Sequence, residues 1–361
     1  MAYLLIRGQA LAAQGRKLMD TMALVATKAH LDSQQRAMDL LSEQQTGLEQ
    51  GIANSGNTVA AIRIQGRYSL QGYLDDLTYG VGAVTAIKRI IRDVKDDWPG
   101  VLKRLESIRK RVIVRANMIV NISGDKSTIA AATPSLRSFI NKIPAGAKWT
   151  KGSSVWAKDV KLLPIRNEGF ATETAVNYVG KGVALYDPGE HISGSVSVVS
   201  RYLNNPYLWD NVRIKTGAYG ASTSLDRSTG IFSFTSYRDP NVLSTLETYD
   251  KAAAHLAGLT LPKKDLESFV IGTISGLDRP LAVGSQALLS LRRHLIGITD
   301  QHVQGFRDEL LATTMEDFKS FGKRLKKFNS SAKAAVVASK IALTEANAEL
   351  KGDDKFVITV I

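Results

Sequence analysis

The chain of 361 residues has no cysteine. That excludes disulfides, a catalytic thiol and any thiolate metal site. Histidine is scarce as well. The five are His30, His191, His255, His294 and His302. No two stand three or four apart, so no helix presents a histidine pair to a metal. His294 and His302, eight apart across an expected helix break, read as ordinary surface histidines. Glu190-His191 is one carboxylate beside one imidazole, too little for a site. Apolar runs of membrane-spanning length are missing, and so are segments polar enough to stay unfolded.

Nucleotide and hydrolase signatures are also lacking. Gly80-Val-Gly82 has neither the third glycine nor the preceding strand of a dinucleotide fingerprint. Gly180-Lys-Gly182 lacks the spacing and the hydroxyl residue of a phosphate loop. No nucleophile elbow G-x-S-x-G occurs. Asp75-Asp76 and Asp96-Asp97 are adjacent pairs whose members face different ways on a helix. They read as solvated acids. The chain by itself has no complete catalytic apparatus.

Hydrophobic residues make up 44% and charged residues 22%, the balance of a folded globular protein. The net charge is +13. Residues 1–150 hold 21 Lys and Arg against 12 Asp and Glu, a net of +9, which leaves +4 for the rest. Such a surplus suits nucleic acid or an anionic membrane. The bases are scattered, however. The densest group, Arg109-Lys-Arg111 with Arg104 and Arg115, follows Asp93, Asp96 and Asp97 and reads as a solvated helix end. Neither nucleic-acid binding nor membrane insertion is expected.

The pattern predicts a strand over about 3–12, then helices near 15–30, 33–52, 56–73, 81–95 and 98–111. A strand over Val112–Asn121 and a helix from about 126 to 141 complete the first half. Pro144-Ala-Gly-Ala and the polar stretch to Ser154 read as a linker. The second half has a helix near 193–205 and a strand at Ile231–Tyr237. Asp239-Pro240 reads as an N-cap with proline at the first helical position, opening a helix to about 257. Further helices follow near 262–275, 280–296 and 300–312. Another is capped by Thr313 or Thr314. A strand at Ala334–Ala338 and a helix from about 341 close the chain. The halves match as a coarse repeat offset by roughly 225 residues. A strand opening at the third residue suggests that the first unit lacks its amino-terminal portion.

One stretch carries chemistry: Asn211-Val-Arg213-Ile-Lys-Thr-Gly217-Ala-Tyr219-Gly220, followed by a hairpin and Ser236-Tyr-Arg-Asp-Pro240. Arg213 and Tyr219 stand at a hairpin mouth. Gly217 and Gly220 there permit a sharp bend and a close backbone approach. A guanidinium fork and a phenol can hold a peptide carbonyl or a developing oxyanion. The same residues also fit a surface arginine beside a packed tyrosine.

The sequence is similar, over essentially its whole length, to the carboxy-terminal part of the presequence-protease branch of the pitrilysin-type zinc metallopeptidases. The likeness rests on Asp32-Ser-Gln-Gln-Arg36, Trp98-Pro-Gly, Leu163-Pro-Ile-Arg-Asn-Glu168 and Val176-Asn-Tyr-Val-Gly-Lys181. It continues through Leu208-Trp-Asp-Asn-Val-Arg213, Gly217-Ala-Tyr-Gly220, Ser228–Phe234, Ser236–Asn241, Ile271-Gly-Thr-Ile274 and Leu291–Thr299.

The resemblance implies an α+β fold of two related pitrilysin-type domains, each an antiparallel-rich sheet with packed helices. Residues 1–150 would be the third domain of the family, amino-terminally truncated, and 155–361 the fourth. Zinc would be bound by an H-x-x-E-H helix in the absent amino-terminal half and not by this chain. By motif, Arg213 and Tyr219 would contact the substrate carbonyl and oxyanion, with Gly217 and Gly220 in the substrate loop. Thr216 departs from the family's usual glycine there. The implied activity is ATP-independent degradation of targeting presequences and other short unfolded peptides. The implied place is the mitochondrial matrix or chloroplast stroma, and the partner is the zinc-bearing half. The alternative is a non-catalytic peptide-binding subunit or pseudo-enzyme of the same fold.

Overall fold

In the strand Ile231–Tyr237, Phe232 and Phe234 pack in one apolar cluster, and Ile231 and Tyr237 in another. That period of two is the mark of a sheet covered on both faces. The computed structural model describes residues 3–148 and 160–361. Trp149–Ser154, the far part of the expected linker, lies outside the described residues, as do Met1 and Ala2.

The mixed sheet has six strands: β1 (Glu168–Ala171), β2 (Tyr178–Ala184), β3 (Gly220–Asp226), β4 (Ile231–Tyr237), β5 (Lys333–Ala338) and β6 (Val357–Val360). Their order is β3-β4-β2-β5-β1-β6. The first four in that order pair antiparallel, while β1 pairs parallel with both β5 and β6. The tight turn from β3 to β4 closes on Gly230, at φ +71, whose amide donates to Asp226 O at 2.8 Å.

The helices before the sheet are α1 (Gly15–Lys28), α2 (Gln34–Asn54), α3 (Gly56–Gln65), α4 (Leu70–Tyr79), α5 (Val81–Asp96), α6 (Trp98–Val112) and α7 (Lys126–Lys142). Next come α8 (Ser195–Tyr202) and a wide helical segment α9 (Leu203–Ile214), interrupted by extended backbone at Asn205. The rest are α10 (Leu243–Gly258), α11 (Lys263–Leu277), α12 (Val283–Ile296), α13 (Asp300–Leu311), α14 (Met315–Ser331) and α15 (Lys340–Glu349). Thr314, one of the two caps expected, is the N-cap of α14 and forms a capping box with Asp317.

The described residues form two compact units that interleave along the chain. One contains the described parts of 3–42, 89–148 and 280–299, and the other those of 43–88, 160–279 and 300–361. The first is helical. Neither expected strand forms in it. Residues 3–11 are irregular, and Arg115–Asn117 is a single tight turn. The Arg115 and Ala116 amides donate to Pro144 O and Ala145 O instead of to a ladder. Ile6, Ile113 and Met118 bury their side chains against Ala23, Ala26 and Phe139 of the helices α1 and α7. Helix packing satisfies these short apolar runs, and the expected strand-for-strand repeat fails here.

The second unit holds the sheet. On one face lie α8, α9, α10 and α14, with Phe318, Phe321, Leu325 and Phe328 of α14 fully or nearly buried. On the other lies α3, bringing Val59, Ala60 and Ile64 against Phe170, Tyr178, Ala335 and Val337. Gly180 and Gly182 of β2 permit this. A Cβ there would stand 2.9 Å from Ala60 Cβ and 2.7 Å from Ile64 Cγ2. The two glycines are thus explained by close helix–sheet packing.

A buried ionic cluster fastens α3 and α4 to the sheet. Glu168 of β1 accepts from Arg63 Nε at 2.9 Å, from Arg63 Nη2 at 2.8 Å and from Arg67 Nη2 at 3.0 Å. Arg67 also donates to the carbonyls of Lys333 and Ala334 in β5. Arg63 Nη1 reaches Asp76, which also accepts from the Gly82 amide. The sequence places Asp76 in solvent; in the fold it is fully buried, because Arg63 and the Gly82 amide supply partners there. Burial raises the Glu168 carboxyl, but the hydrogen bonds and charge of Arg63, joined by Arg67, outweigh that and hold it below the ordinary glutamate range. At Asp76 burial wins and the carboxyl is raised, despite Arg63 and the Gly82 amide.

Candidate functional site

Helix α9 sets the site. Trp209 and Arg213 stand four apart on it, hence on one face. The helix closes through Thr216 and Gly217. The Thr216 hydroxyl donates to Val212 O at 2.6 Å, the Gly217 amide to Arg213 O at 3.0 Å and the Ala218 amide to Val212 O at 3.2 Å. Gly217 has φ +85, the left-handed conformation that a helix-ending glycine adopts cheaply. The chain then reverses into β3, and the Tyr219 amide pairs with Arg238 O at 3.2 Å. The reversal returns Tyr219 to Arg213.

The result is a stacked row. The Arg213 guanidinium carbon lies 4.2 Å from the Trp209 ring centre and 5.3 Å from that of Tyr219. Tyr219 meets Tyr237 edge-on at 5.8 Å, and Tyr237 lies 5.6 Å from Tyr178. The inner end is anchored by the Tyr178 hydroxyl, which donates to Ala53 O at 2.8 Å. The outer end is open: Tyr219 is 64% exposed. Arg238, at φ 48, lays its guanidinium 5.5 Å from the Tyr237 ring.

The loop after β4 braces the row. Asp239, expected as a helix N-cap, is not one, because α10 starts at Leu243. It is buried instead. It exchanges backbone hydrogen bonds with Asn177 and accepts from the Thr245 hydroxyl at 2.7 Å and the Asn241 amide at 2.9 Å. Asn241 in turn donates to Thr216 O at 2.8 Å. Thr216 therefore serves the cap on both sides.

The structure brings together all four residues expected from the sequence. Among the described residues, no hydrogen bond or ion pair engages the Arg213 guanidinium or the Tyr219 hydroxyl. A Cβ on Gly220 would meet nothing within 4 Å, and one on Gly217 only Pro240 Cγ at 3.6 Å. Both donors are thus unpaired among the described residues, and the glycines beside them leave the backbone bare. Such an arrangement can hold a carbonyl and the charge that develops on it. Sequence reasoning missed Trp209 and Tyr237. The spacing of Trp209 to Arg213 was the available signal.

No group of three or more His, Cys, Asp or Glu among the described residues is placed to hold a metal ion. Among the described residues His191 meets Glu309, at 2.7 Å, and His255 bonds the Tyr202 hydroxyl. The residues present do not fit a zinc site, and no step through a metal is derived from them. No helix among the described residues is long and apolar enough to cross a membrane. Arg109, Lys110 and Arg111 occupy the last turn of α6, where the carbonyl ends favour positive charge.

Residues 167–340 match the family model described as the PreP C-terminal domain. Residues 1–90 match a second model, described as a region associated with subfamily C of the M16 peptidases. The chain is 32% identical over 346 residues to presequence protease 1, chloroplastic/mitochondrial, of Arabidopsis thaliana, covering 96% of this chain and 32% of that protein. It is 28% identical over 329 residues to the mitochondrial presequence protease of Xenopus laevis, covering 84% and 32%. The chain belongs to the presequence-protease family, as its carboxy-terminal part. It spans 32% of the length of these two relatives. The fold agrees with a solved peptidase M16 inactive domain from Pseudomonas fluorescens, at TM-score 0.61 and 15% identity over 90% of this chain and 74% of that one. It also agrees with pitrilysin, at TM-score 0.54 and 12% identity over 96% and 36%.

Within this presequence-protease region, the stretch matching the PreP C-terminal domain contains the row from Tyr178 to Trp209 and both hairpin strands. It also contains Glu168, whereas Arg63, Arg67 and Asp76 lie in the stretch matching the peptidase-associated model. The ionic cluster therefore joins the two matched regions.

Proposed function

We propose that this chain is the carboxy-terminal half of an ATP-independent zinc metalloendopeptidase that degrades targeting presequences and other short unfolded peptides. It works inside a mitochondrion or chloroplast, opposite an amino-terminal half that bears the zinc. Residues 1–150 and 155–361 stand as the third and fourth pitrilysin-type domains. Arg213 and Tyr219 contact the substrate carbonyl, and their donors oppose the charge of the tetrahedral intermediate. Gly217 and Gly220 leave the backbone bare where an extended peptide passes. The reading is carried by one observation: a half-buried guanidinium beside an exposed phenol, neither with a hydrogen-bond or ion-pair partner among the described residues. The names of the plant and vertebrate relatives support the substrate class and the organelle.

The test uses the full-length protein that contains this chain. It should cleave an unfolded presequence-like peptide without ATP, stop when a chelator is added, and spare a folded protein of equal length. Cleavage that requires ATP or ignores the chelator would overturn the proposal. A second reading, a peptide-binding subunit or pseudo-enzyme, is favoured by the Pseudomonas fluorescens structure, which is described as an inactive domain. It predicts peptide binding without turnover in the same assay.

A further inference from the structure

Among the described residues, two other arginines form no ion pair. Arg201, on α8, and Arg227, in the turn after β3, line one groove of about 790 Å³. Its other walls include Ser197, Ser200, Asn204, Leu225 and Phe269. The volume is that of an ordinary small-ligand site. Each guanidinium lies against uncharged groups. Arg201 lies across Gly272 of α11, where a Cβ would stand 2.6 Å from its Nε. This accounts for the glycine of Ile271-Gly-Thr-Ile274. Arg227 donates to Ile192 O at 2.7 Å and stacks 3.9 Å from the Phe306 ring centre. Glu309, the carboxylate whose charge Arg227 feels, is taken up by His191 and the Gly194 amide. Neither arginine forms an ion pair among the described residues.

Two guanidiniums on one groove, neither in an ion pair among the described residues and both flanked by hydroxyls and an amide, suit a carboxylate, which a guanidinium fork binds through paired hydrogen bonds. Leu225 and Phe269 add an apolar wall. Leu225 lies near the end of β3, roughly 20 Å along the strand from Tyr219. We propose that this groove is a second peptide site, binding the carboxyl-terminal carboxylate of a peptide through Arg201 and Arg227 with its last side chain against Leu225 and Phe269. The choice of a peptide rests on the function proposed above; the anion chemistry does not.

The test is calorimetric binding to this chain of an unfolded peptide ending in leucine, as the free acid and as the amide. Binding needs no cleavage, so its outcome is independent of the protease assay. The acid should bind at least about tenfold more tightly than the amide. Arg201→Gln and Arg227→Gln should each remove about that factor. Gly272→Ala should do the same without touching either arginine, because its methyl displaces the Arg201 guanidinium. Thermal melts identify variants that remain folded. The proposal is overturned if no peptide binds, if acid and amide bind alike, or if folded Gln variants bind as the parent does. It is equally overturned if inorganic phosphate binds the groove more tightly than the peptide acid.

Discussion

The Arg213 guanidinium sits over Trp209, with 4.2 Å between its central carbon and the ring centre. The contact spans one turn of α9. It fixes the direction of the fork before any ligand arrives, so little side-chain freedom is lost on binding.

That contact is measurable in the free protein. A double-mutant cycle with Trp209→Ala and Arg213→Ala in urea denaturation should give a coupling of about 0.5–1 kcal/mol, the range of an exposed cation–π pair. Trp209→Phe should retain part of it, since a ring face remains. Strictly additive single effects would show that the stacking is incidental.

Gly217 is required for its backbone and not for its space. A Cβ there would touch only Pro240, but φ is +85. Gly217→Ala should therefore destabilise the chain by about 1 kcal/mol or more. Gly217→Asn should cost less, because asparagine tolerates the left-handed region. Equal thermal melts for parent and Gly217→Ala would contradict the role given to this glycine.

The ionic cluster makes a prediction with a definite sign. Glu168→Gln leaves Arg63 and Arg67 without a full counter-charge and should cost about 3 kcal/mol. The folded Glu168 carboxyl titrates below the ordinary value of 4.5. Its stabilisation is therefore complete above that pH and is lost as pH falls through the lowered folded value. Asp76 runs the other way: its raised carboxyl costs stability as pH rises. Unfolding free energies of parent and Glu168→Gln should thus converge on acidification below 4.5. A pH-independent gap would mean that Glu168 acts through shape alone.

Much of the second unit was legible in the chain. Strands β4 and β5 announce themselves by alternation of Phe232 and Phe234, or Ala334 and Val336, with residues of the opposite face. The cap expected at Thr313 or Thr314 is there, at Thr314. The strands expected near residue 3 and residue 112 failed because a short apolar run does not say what will cover it. In the fold, helices α1 and α7 cover Ile6, Ile113 and Met118. Strand β6 was missed because it is short and its residues Val357 and Val360 are exposed. Asp76 looked solvated because its partner Arg63 stands a helix away and Glu168 far off in the sequence. At the site, the residues that carry polar donors were legible. Trp209 was signalled only by its spacing from Arg213, and Tyr237 became visible only when helix and hairpin were placed together.

The central claim, that Arg213 and Tyr219 act on the transition state, is tested most directly by steady-state cleavage of a quenched fluorescent presequence peptide. The full-length protein carries Arg213→Ala or Tyr219→Phe, and rates are normalised to the folded fraction from thermal melts. Each substitution should lower kcat by roughly a hundredfold or more, about 3 kcal/mol, while KM changes little. Near-parental kcat in both folded variants would contradict the account and leave the hairpin as scaffold.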